Sequence, residues 1–238
     1  MRKLIIAAAF ILLLSPMAVL ADSVNGSAGA GWQTWTAAAL NQNGTPYWDG
    51  ASWDGANKNI GNCVSGTGSC GMAGAPGIIP YWGNANGTAD LHISFTPSGT
   101  DVASLKIEIA GYANLNQFGY KDSTGNHILF TGPQGAGAVS NFTAVGNYVF
   151  FIISGNGDTY YTDSALNTAD RNFQHFALFE AGPGAFYIGA EDLRSSNTDK
   201  DYNDLVVKVS SVPEPSSLVL LGTGLFSLAG VLRRRFPG

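Results

Sequence analysis

From residue 91 to residue 210 the chain is a succession of short apolar runs broken by Gly, Pro and Asn, with no stretch at helical spacing. The runs fall at 91–96, 104–110, 127–131, 148–154, 174–179, 185–190 and 205–210. Each has the length of a strand, and turn-forming residues return roughly every 10 to 25 residues. Strands of this kind bury their apolar faces by pairing into facing sheets. A mainly β fold is therefore expected over 91–211, an antiparallel β-sandwich of jelly-roll type. Val149-Phe150-Phe151-Ile152-Ile153 is apolar on both faces and reads as a central strand, whereas the polar 158–163 segment reads as a surface turn. No long repeat suggests a solenoid.

Residues 22–90 differ. They hold all 5 tryptophans, Trp32, Trp35, Trp48, Trp53 and Trp82, in a glycine-rich context with few aliphatic runs, and read as a loop-rich N-terminal portion. Tyr47-Trp48-Asp49-Gly50 is followed by Ser52-Trp53-Asp54-Gly55 and echoed by Tyr81-Trp82-Gly83-Asn84. Asp-Gly and Gly-Asn pairs form tight turns, so each aromatic residue is expected beside one. Trp48, Trp53 and Trp82 are candidates for stacking on sugar faces, or else cap a core short of other large side chains.

Both ends carry apolar segments expected to be helical. Met1-Arg2-Lys3, an apolar run to Leu14, Ser15-Pro16 and then Val19-Leu20-Ala21 form a secretory signal peptide over 1–21, with cleavage expected after Ala21. At the other end Val212-Pro213-Glu214-Pro215 precedes an uncharged segment, 216–232, and then Arg233, Arg234 and Arg235. A span needs about 20 apolar residues, so this helix is short for a permanent anchor. The arginines belong in the cytoplasm, which places residues 22–215 outside the cytoplasmic membrane.

This order of elements over 212–238 resembles the PEP-CTERM sorting signal of Gram-negative bacteria. The resemblance implies that Pro213-Glu214-Pro215 is recognised and processed by an exosortase-type membrane protease, and that the protein is held transiently in the membrane before reaching the cell surface or medium. The two prolines keep the backbone extended and free of helix, as a protease requires.

Taking Arg2, Lys3, Arg233, Arg234 and Arg235 off the whole-chain net charge of −5 leaves the exported part at about −10. That excludes nucleic acid as a natural partner and suits cations. The 2 cysteines, Cys63 and Cys70, lie close in sequence in a chain bound for an oxidising compartment, which favours a local disulfide.

The acidic residues concentrate in one place. Glu191, Asp192, Asp199, Asp201 and Asp204, with Asn203, flank the connection between the last two apolar runs. Crowded carboxylates require compensation. Arg194 and Lys200 offer part of it, and a hard cation such as Ca²⁺, which takes oxygen ligands from Asp, Glu, Asn and carbonyls, offers more. The alternative is that the acids cap loop amides without metal. The spacing is not that of an EF-hand, which has a glycine at the sixth loop position and a terminal glutamate. The run Glu191-Asp192-Leu193 with Asp199-Lys200-Asp201-Tyr202-Asn203-Asp204 resembles the C-terminal end of an uncharacterised domain of secreted bacterial proteins, and the resemblance reaches back through His175-Phe176-Ala177-Leu178-Phe179-Glu180. It implies a domain and no known activity.

No nucleophile elbow, zinc helix or phosphate loop is present, and His92, His127 and His175 sit in or beside apolar runs without a carboxylate at a recognisable spacing. A glycosidase needs only two carboxylates, which Glu191 and Asp201 would supply. The expectation is a non-catalytic protein of the cell surface or of a biofilm or exopolysaccharide matrix. Its alternatives are a carbohydrate-binding module and, behind that, a glycosidase.

Overall fold

Alternation of inward apolar and outward polar residues is most regular in the strand Asp101–Glu108, where Asp101, Ala103, Leu105 and Ile107 turn inward and the residues between them are more exposed. This period of two recurs along the chain and builds antiparallel sheets throughout. The computed structural model describes residues 22–34, 60–64, 80–85, 88–108 and 110–212. The elements are β1 Ser23–Asn25, β2 Ala30–Thr34, α1 Ile60–Val64, β3 Pro80–Asn84, β4 Ser94–Thr96, β5 Asp101–Glu108, β6 Gln117–Asp122 and β7 Gly125–Thr131. They continue with β8 Val139–Phe142, β9 Val149–Ile153, β10 Thr159–Tyr161, a 3-10 turn at Ser164–Leu166, β11 Phe176–Glu180, β12 Ala185–Ala190 and β13 Leu205–Ser211.

A seven-stranded sheet runs β2-β3-β11-β12-β13-β5-β8, a four-stranded sheet runs β10-β9-β6-β7, and β1 pairs with β4. The apolar strand β9 lies between β10 and β6, where both its edges are paired and its residues are nearly all buried. One aromatic cluster draws on both larger sheets. Phe150 of β9 meets Phe186 of β12 at 6.3 Å between ring centroids, and Tyr120 of β6 meets Phe142 of β8 at 4.8 Å. Phe95 of β4 stacks on Phe186 at 5.1 Å and on Tyr148 at 5.3 Å. Rings of this size dominate burial in a chain so rich in glycine.

The structure refines two local expectations. Tyr81-Trp82-Gly83-Asn84 lies within strand β3, which pairs with β2 on one side and β11 on the other, and is not itself a turn; the turn beside it follows at residue 85, where the Asn84 amide donates to the Thr88 carbonyl at 2.9 Å. Trp82 is buried in the core, its Nε1 donating to Asp90 at 3.3 Å and its ring edge-on to Trp32. The 158–163 segment is not a surface turn either. It contains β10, where Tyr160 and Tyr161 are buried.

Strands from 22–90 and from 91–211 share the seven-stranded sheet, and residues 21–211 form one compact unit. Among the described residues no helix is long and apolar enough to cross a membrane. The expected terminal helices, 1–21 and 216–232, lie outside the described residues, as do Trp48, Trp53, Cys70, Pro213, Glu214, Pro215, Arg233, Arg234 and Arg235.

Candidate metal centre

The 191–204 loop springs from the middle of the larger sheet, because β12 and β13 pair up to Ala190 opposite Leu205 and then part. Two backbone features shape it. Lys200 and Tyr202 both adopt left-handed conformations, with φ of 60° and 55°, a geometry that side-chain-bearing residues take at a cost and that clusters at functional sites. The loop is also pinned from outside: the Ile60 amide of α1 donates to the Asp201 carbonyl at 2.8 Å, and the Tyr202 hydroxyl donates to the Gln174 carbonyl at 2.9 Å.

These constraints bring Glu191, Asp199 and Asp201 together, one carboxylate oxygen of each lying within 4.8 Å of the others. Glu191 is fully buried and Asp201 nearly so. Glu191 accepts from the Thr198 hydroxyl on one oxygen and from the Tyr202 amide at 2.6 Å on the other. The remaining sequence candidates serve this group from its margin. Asn203 donates to Asp201 through both its amide, at 3.1 Å, and its side chain, orienting that carboxylate. Asp204 accepts from the Asp192 amide at 2.8 Å, and Asp192 accepts from Asn116 at 2.8 Å.

Burial is the main influence on the carboxyl groups and pushes Glu191 well above the usual carboxylate range, helped by the negative charges of Asp201 and Asp199 and opposed by the Thr198 and Tyr202 donors. Asp204 is raised likewise, by burial first and then by Glu191, Asp192 and Asp201. Such a group either keeps a proton or takes up a cation. Carboxylates have about four lone-pair sites each, so amide donors already bound leave oxygens for a metal. The residues present fit a hard, oxygen-seeking cation.

Arg194 does not offset this charge. Its guanidinium turns away to Asp158, with contacts of 2.7 and 3.1 Å. The histidines also differ from expectation, since each faces a carboxylate. His92 meets Asp163 at 2.9 Å, His127 meets Asp122 at 3.1 Å, and His175 lies 3.7 Å from Asp170. Asp163 stands 71 residues from His92 and reaches it only through folding. His175 backs the candidate centre: it is fully buried, its ring stacks on Tyr160 at 3.5 Å, and its Nδ1 lies 3.3 Å from the Glu191 carbonyl. Burial lowers it to about 4, so it is neutral near pH 7.

Sequence reasoning missed Thr198 as a partner of Glu191, and α1 as a brace for the loop. Cys63 of that helix is buried and disulfide-bonded.

Two family models match the chain. Residues 133–212, which run from just before β8 to the end of β13 and include the acidic loop, match a domain of unknown function, DUF4114. Residues 211–235 match the PEP-CTERM protein-sorting motif. No curated protein and no solved structure matches. The chain thus carries a DUF4114 domain followed by a C-terminal PEP-CTERM sorting motif, the arrangement of an exosortase-sorted exported protein.

Proposed function

We propose that this is a non-catalytic protein of a Gram-negative cell surface or extracellular matrix, biofilm or exopolysaccharide, whose β-domain is stiffened by Ca²⁺. Its two larger sheets face each other as a jelly-roll-like β-sandwich, a reading supported by the aromatic cluster to which both contribute. The sorting motif supports transient tethering through the C-terminal segment and processing by an exosortase-type protease. The observation that carries the Ca²⁺ reading is the convergence of Glu191, Asp199 and Asp201 on one point. Ca²⁺ accepts carboxylate, hydroxyl and carbonyl oxygens in flexible arrangements, and neutralising the group removes the cost of burying it.

Burial also argues for a non-catalytic role. A glycosidase admits a sugar between its two carboxylates, whereas Glu191 is enclosed and accepts from neighbouring loop groups. The carbohydrate-binding reading loses Trp82, whose ring is packed in the core.

Thermal unfolding of the exported protein in EDTA and in Ca²⁺ tests the proposal. At Ca²⁺ a hundredfold above Kd the gain is about 2.7 kcal/mol, which raises Tm by about 5–10 °C for a domain of this size. Identical melting in Ca²⁺ and EDTA would contradict it.

A further inference from the structure

The first residue of β5 places a carboxylate where the strand's alternation demands an apolar side chain. Asp101 is fully buried in the inward row with Ala103, Leu105 and Ile107, and neither of its carboxylate oxygens has a hydrogen-bond partner at normal geometry. The Ser211 hydroxyl, whose residue is in register with Asp101 across β13, lies close enough to favour ionisation. The other neighbour is a second acid. Asp22 is also buried, and its carboxylate accepts from the Ser98 amide at 2.7 Å, the Ser98 hydroxyl at 3.0 Å and the Tyr148 hydroxyl at 2.6 Å. The titratable groups around Asp101 are thus Asp22 and Tyr148, with Tyr120 beyond Tyr148. Among the described residues neither acid forms an ion pair with Lys, Arg or His. Burial and the charge of Asp22 push Asp101 up to about 7.

Two adjacent buried carboxylates either keep a proton or take a cation, and the chain contains the means to make one. Asp22 is the residue that follows the expected cleavage point, Ala21. Cleavage there converts the Asp22 nitrogen from a neutral amide into an ammonium, tied to the Asp22 carboxyl through Cα and Cβ. We propose that the Asp22 α-ammonium released by signal peptidase is the missing partner of Asp101, so that maturation completes a buried ion pair. The proposal rests on cleavage after Ala21. In the uncleaved precursor Asp101 holds on to its proton. In the mature protein it gives that proton up to pair with the ammonium, and the domain's first residue is locked to the start of β5 opposite Ser211, its last.

The test uses the full-length gene expressed in an exporting bacterium, with the N-terminus of the purified protein read by mass spectrometry. Limited acetylation with acetic anhydride at pH 7, quantified by peptide mass, then reports how available the α-amine is. A free α-amine has a pKa near 7.7–8.0, and a buried carboxylate partner raises it by one unit or more. The mature α-amine is therefore expected to react at least about tenfold more slowly in wild type than in Asp101→Asn. A second variant with Gly-Ser inserted between Ala21 and Asp22 keeps Asp101 intact, moves the amine away and should react at the faster rate, which covers the case in which Asp101→Asn does not fold. Equal rates in wild type and the insertion variant, with wild type beginning at Asp22, would overturn the ion pair alone. A mature N-terminus at another residue would overturn the cleavage reading and the proposal with it.

Discussion

Glu191 faces Asp199 and Asp201 inside a loop whose own amides and hydroxyls already hold it in place. Its folded-state pKa lies above the value of about 4.3 it has in an unfolded chain, so folding takes up a proton. Its contribution to metal-free stability is therefore expected to be full below about pH 4.3 and to be lost as pH rises beyond it. Glu191→Gln should remove that decline and also abolish the Ca²⁺ response. Urea unfolding at pH 5 and pH 7.5, each in EDTA and in Ca²⁺, checks both. Asp204 is raised in the same direction, so part of the slope persists; a slope as steep in the variant as in wild type would show that Glu191 is not among the groups responsible. Asp101 has the same sign: raised to about 7, it stabilises a protein lacking the neighbouring ammonium at low pH, and that contribution is lost from about pH 4 through pH 7. The slope is at most about 1.4 kcal/mol per pH unit. The insertion variant should show it and the mature protein should not, as chemical denaturation across that range will report. The identity of the acidic residues was readable in the chain, because they crowd one connection. Which of them converge was not, since that depends on the left-handed turns at Lys200 and Tyr202, which carry no glycine to announce them.

At the scale of elements, the centre depends on how closely β12, α1 and the acidic loop approach one another. A side chain at Gly189 would place its Cβ 2.3 Å from the Tyr202 carbonyl and 2.3 Å from Ile60 Cδ1, and the carbonyl cannot yield. Gly189→Ala is expected to cost about 1–3 kcal/mol and to weaken Ca²⁺ binding by displacing the loop. Unfolding and calcium titrations on the variant measure the two effects. Reduction of the Cys63 disulfide should lower stability by about 2–4 kcal/mol and loosen the α1 brace on Asp201, which melting with and without dithiothreitol will show. The strands that sequence patterning found, such as β9 and β12, are those with continuous or alternating apolar residues. β3 escaped because Trp82-Gly83-Asn84 has the composition of a turn, and flanking acids disguised β10, which only its pairing with β9 makes a strand. The carboxylate partner of His92 comes from a distant residue and leaves no local signal, whereas Asp122 and Asp170 stand close in sequence to His127 and His175 and are brought to them by the local fold.

For the whole molecule, the sorting motif and the exported acidic domain describe one route, from the cytoplasm through a temporary tether to the outside. Deleting Pro213–Pro215 should leave the protein unprocessed and membrane-held, visible as a larger species retained in the membrane fraction. Release at the normal size would remove the sorting account. The most direct test is isothermal titration of Ca²⁺ into chelator-stripped exported protein. The account predicts saturable binding at one site, lost in Asp199→Asn and Asp201→Asn, and no binding at all up to millimolar Ca²⁺ would contradict it.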